Sequence, residues 1–159
     1  MISVIIINYN VKKHLGECLD SLYKFNDTES FEVIIIDNNS NEKIDDITKN
    51  KKNLKLYSFE KNVGFSKAVN YGIKISKGSK ILLLNPDTII ISDIINIMGL
   101  YLENNSDVGV VGAKVVFPDG KYQLSSKRSF PHIYMAFLRV FYLDKLFYKS
   151  KFFGKYNYS

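Results

Sequence analysis

Apolar runs with the length of strands alternate with helix-like stretches over the first three-quarters of the chain. Residues 3–7, 32–36 and 80–84 are predominantly apolar runs rich in branched aliphatic residues, and residues 54–59 form a weaker, more amphipathic run. Runs of the first kind are typical of strands in a parallel sheet that helices cover on both faces. The pattern therefore predicts four strands, with residues 54–59 at an edge of the sheet.

Helices are predicted between and after these strands. Residues 12–23 and 65–75 place apolar side chains at the i, i+3, i+4, i+7 spacing of one helix face, and Asn70 in the second helix either bonds inside the core or faces a pocket. Ser92 has the residue type of an N-cap for a third helix that begins near Ile94. Strands that alternate with helices imply right-handed crossovers, so the predicted fold class is α/β with a mostly parallel sheet.

The pattern changes after the third helix. Residues 108–117 are predicted to form a further strand, interrupted by Gly109 and Gly112. The Asp-Gly pair that follows predicts a hairpin turn into residues 121–125. From residue 130 onward, apolar and aromatic residues follow one helical stripe.

Charge divides the chain at nearly the same place. The net charge is +6, but residues 121–159 hold eight basic and one acidic side chain, together with 12 of the 22 aromatic residues. Residues 1–120 hold 14 basic and 15 acidic residues, and so offer no basic face to nucleic acid. We therefore expect a core of residues 1–125 and a basic, aromatic helical segment of residues 126–159.

Other features of the sequence argue against several classes of protein. Cys18 is the single cysteine, which excludes an internal disulfide bond and fits a reducing compartment. The N-terminal apolar run lacks basic residues before it, and no stretch reaches the roughly 18 apolar residues that cross a bilayer. His14 and His132 have no partners at zinc-ligand spacing. The expectation is a cytoplasmic protein without zinc.

Asn and Asp cluster where each of the four predicted strands ends. The clusters are residues 8–10, 37–40, 62–64 and 85–88. Because the carboxyl ends of parallel strands share one edge, where open α/β sheets bind ligands, these clusters predict a single polar pocket. Each cluster taken alone also has the chemistry of a turn or a helix cap, and that alternative stays open.

Three residues in these clusters have specific chemistry. Asp37 can accept hydrogen bonds from a nucleobase or a ribose, whereas the absence of glycine in residues 8–13 argues against NAD. Gly64 permits a positive φ or a close approach to phosphate, before a helix N-terminus that favours anions. Asp87 can bind Mg²⁺ or Mn²⁺ against a diphosphate, since these ions take carboxylates together with substrate phosphates. The alternative for Asp87 is a solvated turn residue.

In this order, the clusters resemble glycosyltransferase family 2, whose members have a GT-A fold and use nucleotide-sugar donors. That fold is Rossmann-like, with a mostly parallel sheet and helices on both faces. The resemblance covers roughly residues 2–125 and is carried by residues 3–10, 15–22, 33–40, 62–73 and 82–88. The Asp-Asn-Asn-Ser and Asn-Pro-Asp-Thr segments are most similar to rhamnosyltransferase-like members.

The resemblance implies a nucleotide site, with a Mn²⁺ or Mg²⁺ ion held by Asp87. The nucleotide-binding residues that it implies are Asn8, Asn10, Asp37, Asn39, Asn62, Gly64 and Asn85. Asn85 stands where the family's metal motif begins with an acid, which removes one carboxylate. The implied reaction moves a sugar from a dTDP- or UDP-sugar to a glycan or lipid-linked acceptor, with inversion at the anomeric carbon.

The expected position of the catalytic base departs most from the family. Inverting members place an Asp of a Glu-Asp motif after the donor-binding half, but this sequence has no Glu-Asp pair, and Asp144 is the only acid after Asp119. We therefore expect a truncated donor-binding part without its own base. The alternative is a non-catalytic nucleotide-sugar-binding or scaffolding module. A sugar nucleotidyltransferase ranks lower, because the glycine-rich basic loop that it needs is absent.

The basic aromatic segment also has more than one interpretation. Basic residues among Phe and Tyr in residues 130–159 allow peripheral contact with the inner face of the cell membrane. Exposed aromatic residues also allow a homodimer. An ordinary core-packing helix with a solvated Lys fringe is the plain alternative.

Overall fold

The computed structural model describes residues 1–123 and 126. Over this part the chain alternates between strands and helices, in the order β1 Ile2–Asn8, α1 Lys12–Phe25, β2 Phe31–Asp37, α2 Asp45–Thr48, β3 Leu54–Ser58, α3 Phe65–Ile75, β4 Lys80–Leu83 and α4 Ile94–Asn104. The strands form one parallel sheet with the order β3-β2-β1-β4. None of the described helices is long and apolar enough to cross a membrane. Residues 1–111 form one compact unit, and the described residues from 112 onward belong to a second.

Helices cover both faces of the central strands, as the continuous apolar runs predict. On one face, the sheet residues Val4, Ile6, Val33 and Ile35 pack in one buried cluster with Leu15, Leu19 and Leu22 of α1 and Ile95 of α4. On the other face, Ile5, Ile34 and Ile36 pack with Ala68 of α3. The predicted α/β fold with helices on both faces is therefore confirmed, and β3 lies at an edge as expected.

The prediction that helices cover β4 on both faces is wrong for the described residues. Ile81 is 38% exposed and Leu83 is 50% exposed. The reason is that β4 pairs with β1 alone in the described sheet, while α3 packs mainly over β1 and β2. The face of β4 that carries Ile81 and Leu83 is therefore open in this part of the chain.

The predicted N-cap of α4 is also wrong. Asp93, not Ser92, caps α4: its carboxylate accepts a hydrogen bond from the Asn96 N–H at 3.2 Å. Ser92 lies one residue too early, and its carbonyl instead accepts a hydrogen bond from the Ile94 N–H. Of the two alternatives for Asn70, a bond inside the core is excluded because Asn70 is exposed on α3, and the alternative that it faces a pocket stays a prediction. The short helix α2 is not predicted by the sequence pattern.

The predicted strand at residues 108–117 is absent from the described part of the chain. Gly109 and Gly112 offer no side chain to a core, and Val110 is 89% exposed. The predicted hairpin is present in reduced form as a single antiparallel bridge between Val116 and Tyr122. The predicted helix in residues 126–159 lies outside the described residues, apart from Ser126.

A buried carboxylate ties together the amino-terminal edge of the sheet. Glu32 is 5% exposed, and its Oε1 accepts hydrogen bonds from the Ser3 hydroxyl at 2.8 Å and the Lys77 N–H at 2.6 Å. Its Oε2 accepts from Lys55 Nζ at 3.1 Å. The Ser3 hydroxyl oxygen accepts in turn from the Gly78 N–H at 2.8 Å. Burial raises the pKa of Glu32, but these hydrogen bonds outweigh burial and hold it below the ordinary value.

Candidate functional site at the carboxyl edge of the sheet

Asn8 and Asp37 face each other at the ends of β1 and β2. They are register partners in the parallel ladder, and both side chains are buried. Asn8 Nδ2 donates hydrogen bonds to Asp37 Oδ1 at 2.6 Å and to Ser40 Oγ at 3.0 Å. The Ser40 hydroxyl donates to Asp37 Oδ1 at 2.5 Å, and the Ser40 N–H donates to Asp37 Oδ2 at 3.1 Å. The two strand ends are therefore joined by one hydrogen-bonded cluster.

One acceptor in this cluster has no partner. Asn8 Oδ1 is the single buried side-chain N or O atom of the described residues that lacks a hydrogen bond. A buried acceptor left unsatisfied costs about 1–3 kcal/mol, so a ligand N–H or O–H that reached it would recover stability. Asp37 Oδ2 also keeps acceptor capacity, because it receives only the Ser40 N–H.

A polar pocket of about 220 Å³ lies beside this cluster. It is lined by Asn8, Asn10, Lys12, Ser40, Asn41 and Glu42. Asn10 has a positive φ of 56°, and its Oδ1 accepts a hydrogen bond from the Asn41 N–H at 2.8 Å. Asn39 also has a positive φ, of 68°, and its side chain is exposed. The loops after β1 and β2 are therefore held against each other around the pocket.

Asn38, which the sequence pattern does not distinguish, joins this edge to the N-terminus of α3. Its Oδ1 accepts a hydrogen bond from the Val63 N–H, and its Nδ2 donates to Asn62 Oδ1, both at 2.9 Å. Asn62 Oδ1 also accepts from the Gly64 N–H at 2.9 Å. Gly64 has the expected positive φ, of 84°, but its N–H is already occupied and is not free for phosphate. Two of the predicted nucleotide-binding residues, Asn62 and Gly64, are therefore hydrogen-bonded to each other within the protein.

The cluster after β4 is attached to α1. The Asn85 carbonyl accepts hydrogen bonds from the Cys18 thiol at 3.6 Å and from the Thr88 N–H at 3.2 Å. Burial raises the pKa of the Cys18 thiol to about 12, and the nearby Asp87 carboxylate adds to that effect. Asn85 and Asp87 are both exposed at the same edge of the sheet as Asp37.

The structure therefore joins some of the predicted residues directly and others only through a shared edge. Asn8, Asn10 and Asp37 belong to the hydrogen-bonded cluster and its pocket, whereas Asn85 and Asp87 do not line that pocket. Ser40, which bonds Asp37, was not singled out from the sequence. The sequence feature that could have identified Ser40 is its position three residues after Asp37, a spacing that commonly closes a turn.

The donor set around Asp87 fits a cation that is bound mainly through its ligand's phosphates. No group of three or more His, Cys, Asp and Glu side chains comes together within residues 1–123. Asp87 has no hydrogen bond or ion pair with another described residue. One carboxylate, together with the neighbouring Asn85 amide oxygen, suits Mg²⁺ or Mn²⁺, which often bind through one or two carboxylates plus substrate phosphates.

A family model described as glycosyl transferase family 2 matches residues 3–157. The chain belongs to this family. It is 32% identical over 147 residues to the poly(ribitol-phosphate) beta-N-acetylglucosaminyltransferase TarS of Staphylococcus aureus, a match that covers 88% of this chain and 26% of TarS. It is 30% identical over 127 residues to the minor teichoic acid biosynthesis protein GgaB of Bacillus subtilis, which covers 75% of this chain and 14% of GgaB.

Solved structures agree with this family membership and with the predicted GT-A fold. Residues 1–349 of TarS in complex with UDP-GlcNAc give a TM-score of 0.61 at 29% identity, over 73% of this chain and 37% of that one. The mannosyltransferase PcManGT from Pyrobaculum calidifontis, in complex with GDP-Man and Mn²⁺, gives 0.51 at 20% identity, over 55% and 28%. That second likeness shows the fold alone. The family 2 chain thus spans well under half the length of these relatives, and neither is named as a rhamnosyltransferase.

Proposed function

We propose that this chain is the donor-binding part of an inverting glycosyltransferase, which moves a sugar from a UDP- or dTDP-sugar to a glycan or lipid-linked acceptor. The observation that carries the proposal is the unpartnered Asn8 Oδ1, buried next to Asp37 beside a polar pocket at the strand ends. Uracil and thymine both present an imide N–H, which is the donor that such an acceptor lacks. The likeness to TarS, which is named an N-acetylglucosaminyltransferase and was solved with UDP-GlcNAc, supports the same donor class.

The remaining predicted residues extend this site from the base toward the diphosphate. Asn10 and Asn39, on the loops beside the pocket, are proposed to meet the ribose. Asn62 and Gly64 lie at the N-terminus of α3, whose dipole favours phosphate. Asn85 and Asp87 complete the edge, and a Mn²⁺ or Mg²⁺ ion held by Asp87 would neutralise charge on the departing diphosphate.

Calorimetry with UDP and dTDP, with GDP as the comparison, tests the proposal. We expect the wild-type chain to bind a pyrimidine nucleotide, and Asn8→Ala to weaken binding about tenfold, since one hydrogen bond to a buried group is worth roughly 1.4 kcal/mol. Asn104→Ala is the matched control, because Asn104 is an exposed asparagine at the end of α4 and belongs to none of the strand-end clusters. No binding of either pyrimidine nucleotide at millimolar concentration, or equal affinities for wild type and Asn8→Ala, would contradict the proposal.

The nucleotide preference also tests the finer assignment. A preference for dTDP over UDP would support the rhamnosyltransferase-like branch, whereas a preference for UDP would match the donor in the TarS structure. We expect no sugar transfer by the 159-residue chain alone, since Asp144 is its sole acid after Asp119. Robust turnover would contradict that expectation.

Residues 126–159 are proposed as a separate basic aromatic segment after a core of residues 1–125. It would rest on the inner face of the cell membrane, on the cytoplasmic side, with a homodimer through the same aromatic residues as the alternative. Sedimentation with anionic vesicles at low and high salt distinguishes the two, because electrostatic attachment to lipid is screened by salt.

A further inference from the structure

Side chains of α1 hold both ends of the segment that carries Asp87. We define the Asp87 loop as residues 85–90. At its start, the Cys18 thiol donates to the Asn85 carbonyl at 3.6 Å. At its end, Ser21 Oγ accepts a hydrogen bond from the Ile90 N–H at 2.9 Å. A single helix therefore fixes the loop at two points.

Asp87 lies between these two attachments and has none of its own. Its carboxylate is exposed and makes no hydrogen bond or ion pair with the described residues. Its position therefore depends on the backbone of the loop. Leu84 and Ile90 are buried on either side of it, so both ends of the loop are anchored in the core cluster.

Ser21 is an unexpected residue at its position in α1. It lies in the buried face of the helix, where alanine has the better helix propensity and burial of a hydroxyl is costly unless it is bonded. Its hydroxyl donates to the Cys18 carbonyl at 2.8 Å, a bond within the same helix. Its hydroxyl oxygen also accepts a hydrogen bond from the Ile90 N–H, 69 positions away in the sequence. Alanine at this position would leave the Ile90 N–H without that acceptor.

We infer that Ser21 is a positioning residue, which places the Asp87 carboxylate against the metal-bound diphosphate of the donor by holding the Ile90 end of the loop. The inference rests on the proposed function and adds to it a residue that does not contact the ligand. Loss of this bond would let the loop shift, and the base-binding cluster at Asn8 and Asp37 would stay intact.

Metal-dependent nucleotide binding separates this role from general stability. UDP affinity is measured by calorimetry with and without Mn²⁺ for the wild type, Ser21→Ala, Ser21→Cys and Ser21→Thr. We expect Mn²⁺ to raise the affinity of the wild type for UDP, and Ser21→Ala to lose about tenfold of that gain while its metal-free affinity for UDP is unchanged. Ser21→Thr keeps the hydroxyl and should restore the gain. Ser21→Cys, a weaker acceptor of nearly the same size, should be intermediate and serves if Ser21→Ala does not fold.

Thr48→Val is the matched control. Thr48 is also a buried hydroxyl residue of a helix, but its hydroxyl donates only to the Ile44 and Asp45 carbonyls, and it lies on α2 and not on α1. It should leave the Mn²⁺ gain unchanged even if it lowers stability. Hydrogen exchange at the Ile90 amide gives a second readout, and it should accelerate in Ser21→Ala and stay slow in Thr48→Val.

The outcomes distinguish this inference from the proposed function. If the wild type binds UDP with a Mn²⁺ gain and Ser21→Ala keeps the whole gain, the positioning role is overturned and the donor site stands. If the wild type binds UDP without any gain from Mn²⁺, the inference is also overturned, because the loop then holds no metal. If the wild type binds no pyrimidine nucleotide, the proposed function itself has failed.

Discussion

The buried carboxylate of Glu32 gives a stability prediction whose size follows from its three hydrogen bonds. Glu32→Gln keeps one oxygen for Ser3 and Lys77 but places an NH₂ group against Lys55. Hydrogen bonds to charged groups contribute about 1.5–3 kcal/mol each. The Lys55 side chain is 40% exposed, and solvent screening reduces its share. We expect a loss of about 2 kcal/mol in the free energy of unfolding at neutral pH.

The pH dependence of that loss tests its cause. The hydrogen bonds hold the pKa of Glu32 below its ordinary value of 4.5, so the folded state favours the carboxylate. That stabilisation is complete above the ordinary pKa and is lost as the pH falls through the lowered one. The difference between wild type and Glu32→Gln should therefore be largest at neutral pH and shrink below pH 4.5.

Urea denaturation between neutral pH and about pH 3 measures this difference. Glu29→Gln is the control, because Glu29 forms an exposed ion pair with Lys52 and should change stability little at any pH. If the loss in Glu32→Gln were the same at every pH, or no larger than in Glu29→Gln, the hydrogen-bonded carboxylate would not be what stabilises this edge of the sheet.

Three further predictions follow from the helices and their packing. Cys18 is buried with its pKa raised to about 12, so a thiol reagent at neutral pH should label it only as the protein unfolds, and rapid labelling of the native chain would contradict its burial. Asp93→Ala should lower the free energy of unfolding by about 1 kcal/mol, as measured by thermal unfolding, and Ser92→Ala should lower it much less. A larger loss in Ser92→Ala than in Asp93→Ala would mean that Ser92 is the cap, as the sequence predicts. Gly72→Ala should cost about 1–3 kcal/mol, since its Cβ would lie 2.7 Å from Ile5 Cγ2, and an unchanged melting temperature would refute this close packing.

The sequence predicted the strands well because their burial leaves a local mark. β1 and β2 are covered on both faces, and their runs of branched aliphatic residues indicate this without knowledge of any partner. The start of α4 shows the opposite case. Ser92 and Asp93 both have side chains that can cap a helix. Which of them caps α4 is coupled to a distant contact, in which the Ile95 N–H donates to Asn26 Oδ1 at 3.0 Å. A local pattern cannot contain that contact.

The comparison of β3 with β4 shows that an apolar run does not by itself predict the position of a strand in the sheet. Both are edge strands of the described sheet, yet only β3 has the mixed pattern from which an edge was predicted. β4 has an apolar run, although Ile81 and Leu83 are exposed and only Leu82 packs against the cluster beneath α1 and α4. The pattern therefore reports which side chains are apolar, while strand order depends on the pairing partners of β1.

Asp37 shows how much of the candidate site could be predicted from the sequence. Its two interpretations, a turn residue and a ligand acceptor, were treated as alternatives, but the structure makes them compatible. Oδ1 is used by Asn8 and Ser40, which closes the turn after β2, and Oδ2 receives only the Ser40 N–H. A carboxylate has about four acceptor positions, so three accepted bonds leave room for one more. The hydrogen bonds of the turn fix the Asp37 carboxylate in one position. A hydrogen-bond donor on a ligand would therefore bind an acceptor that is already ordered.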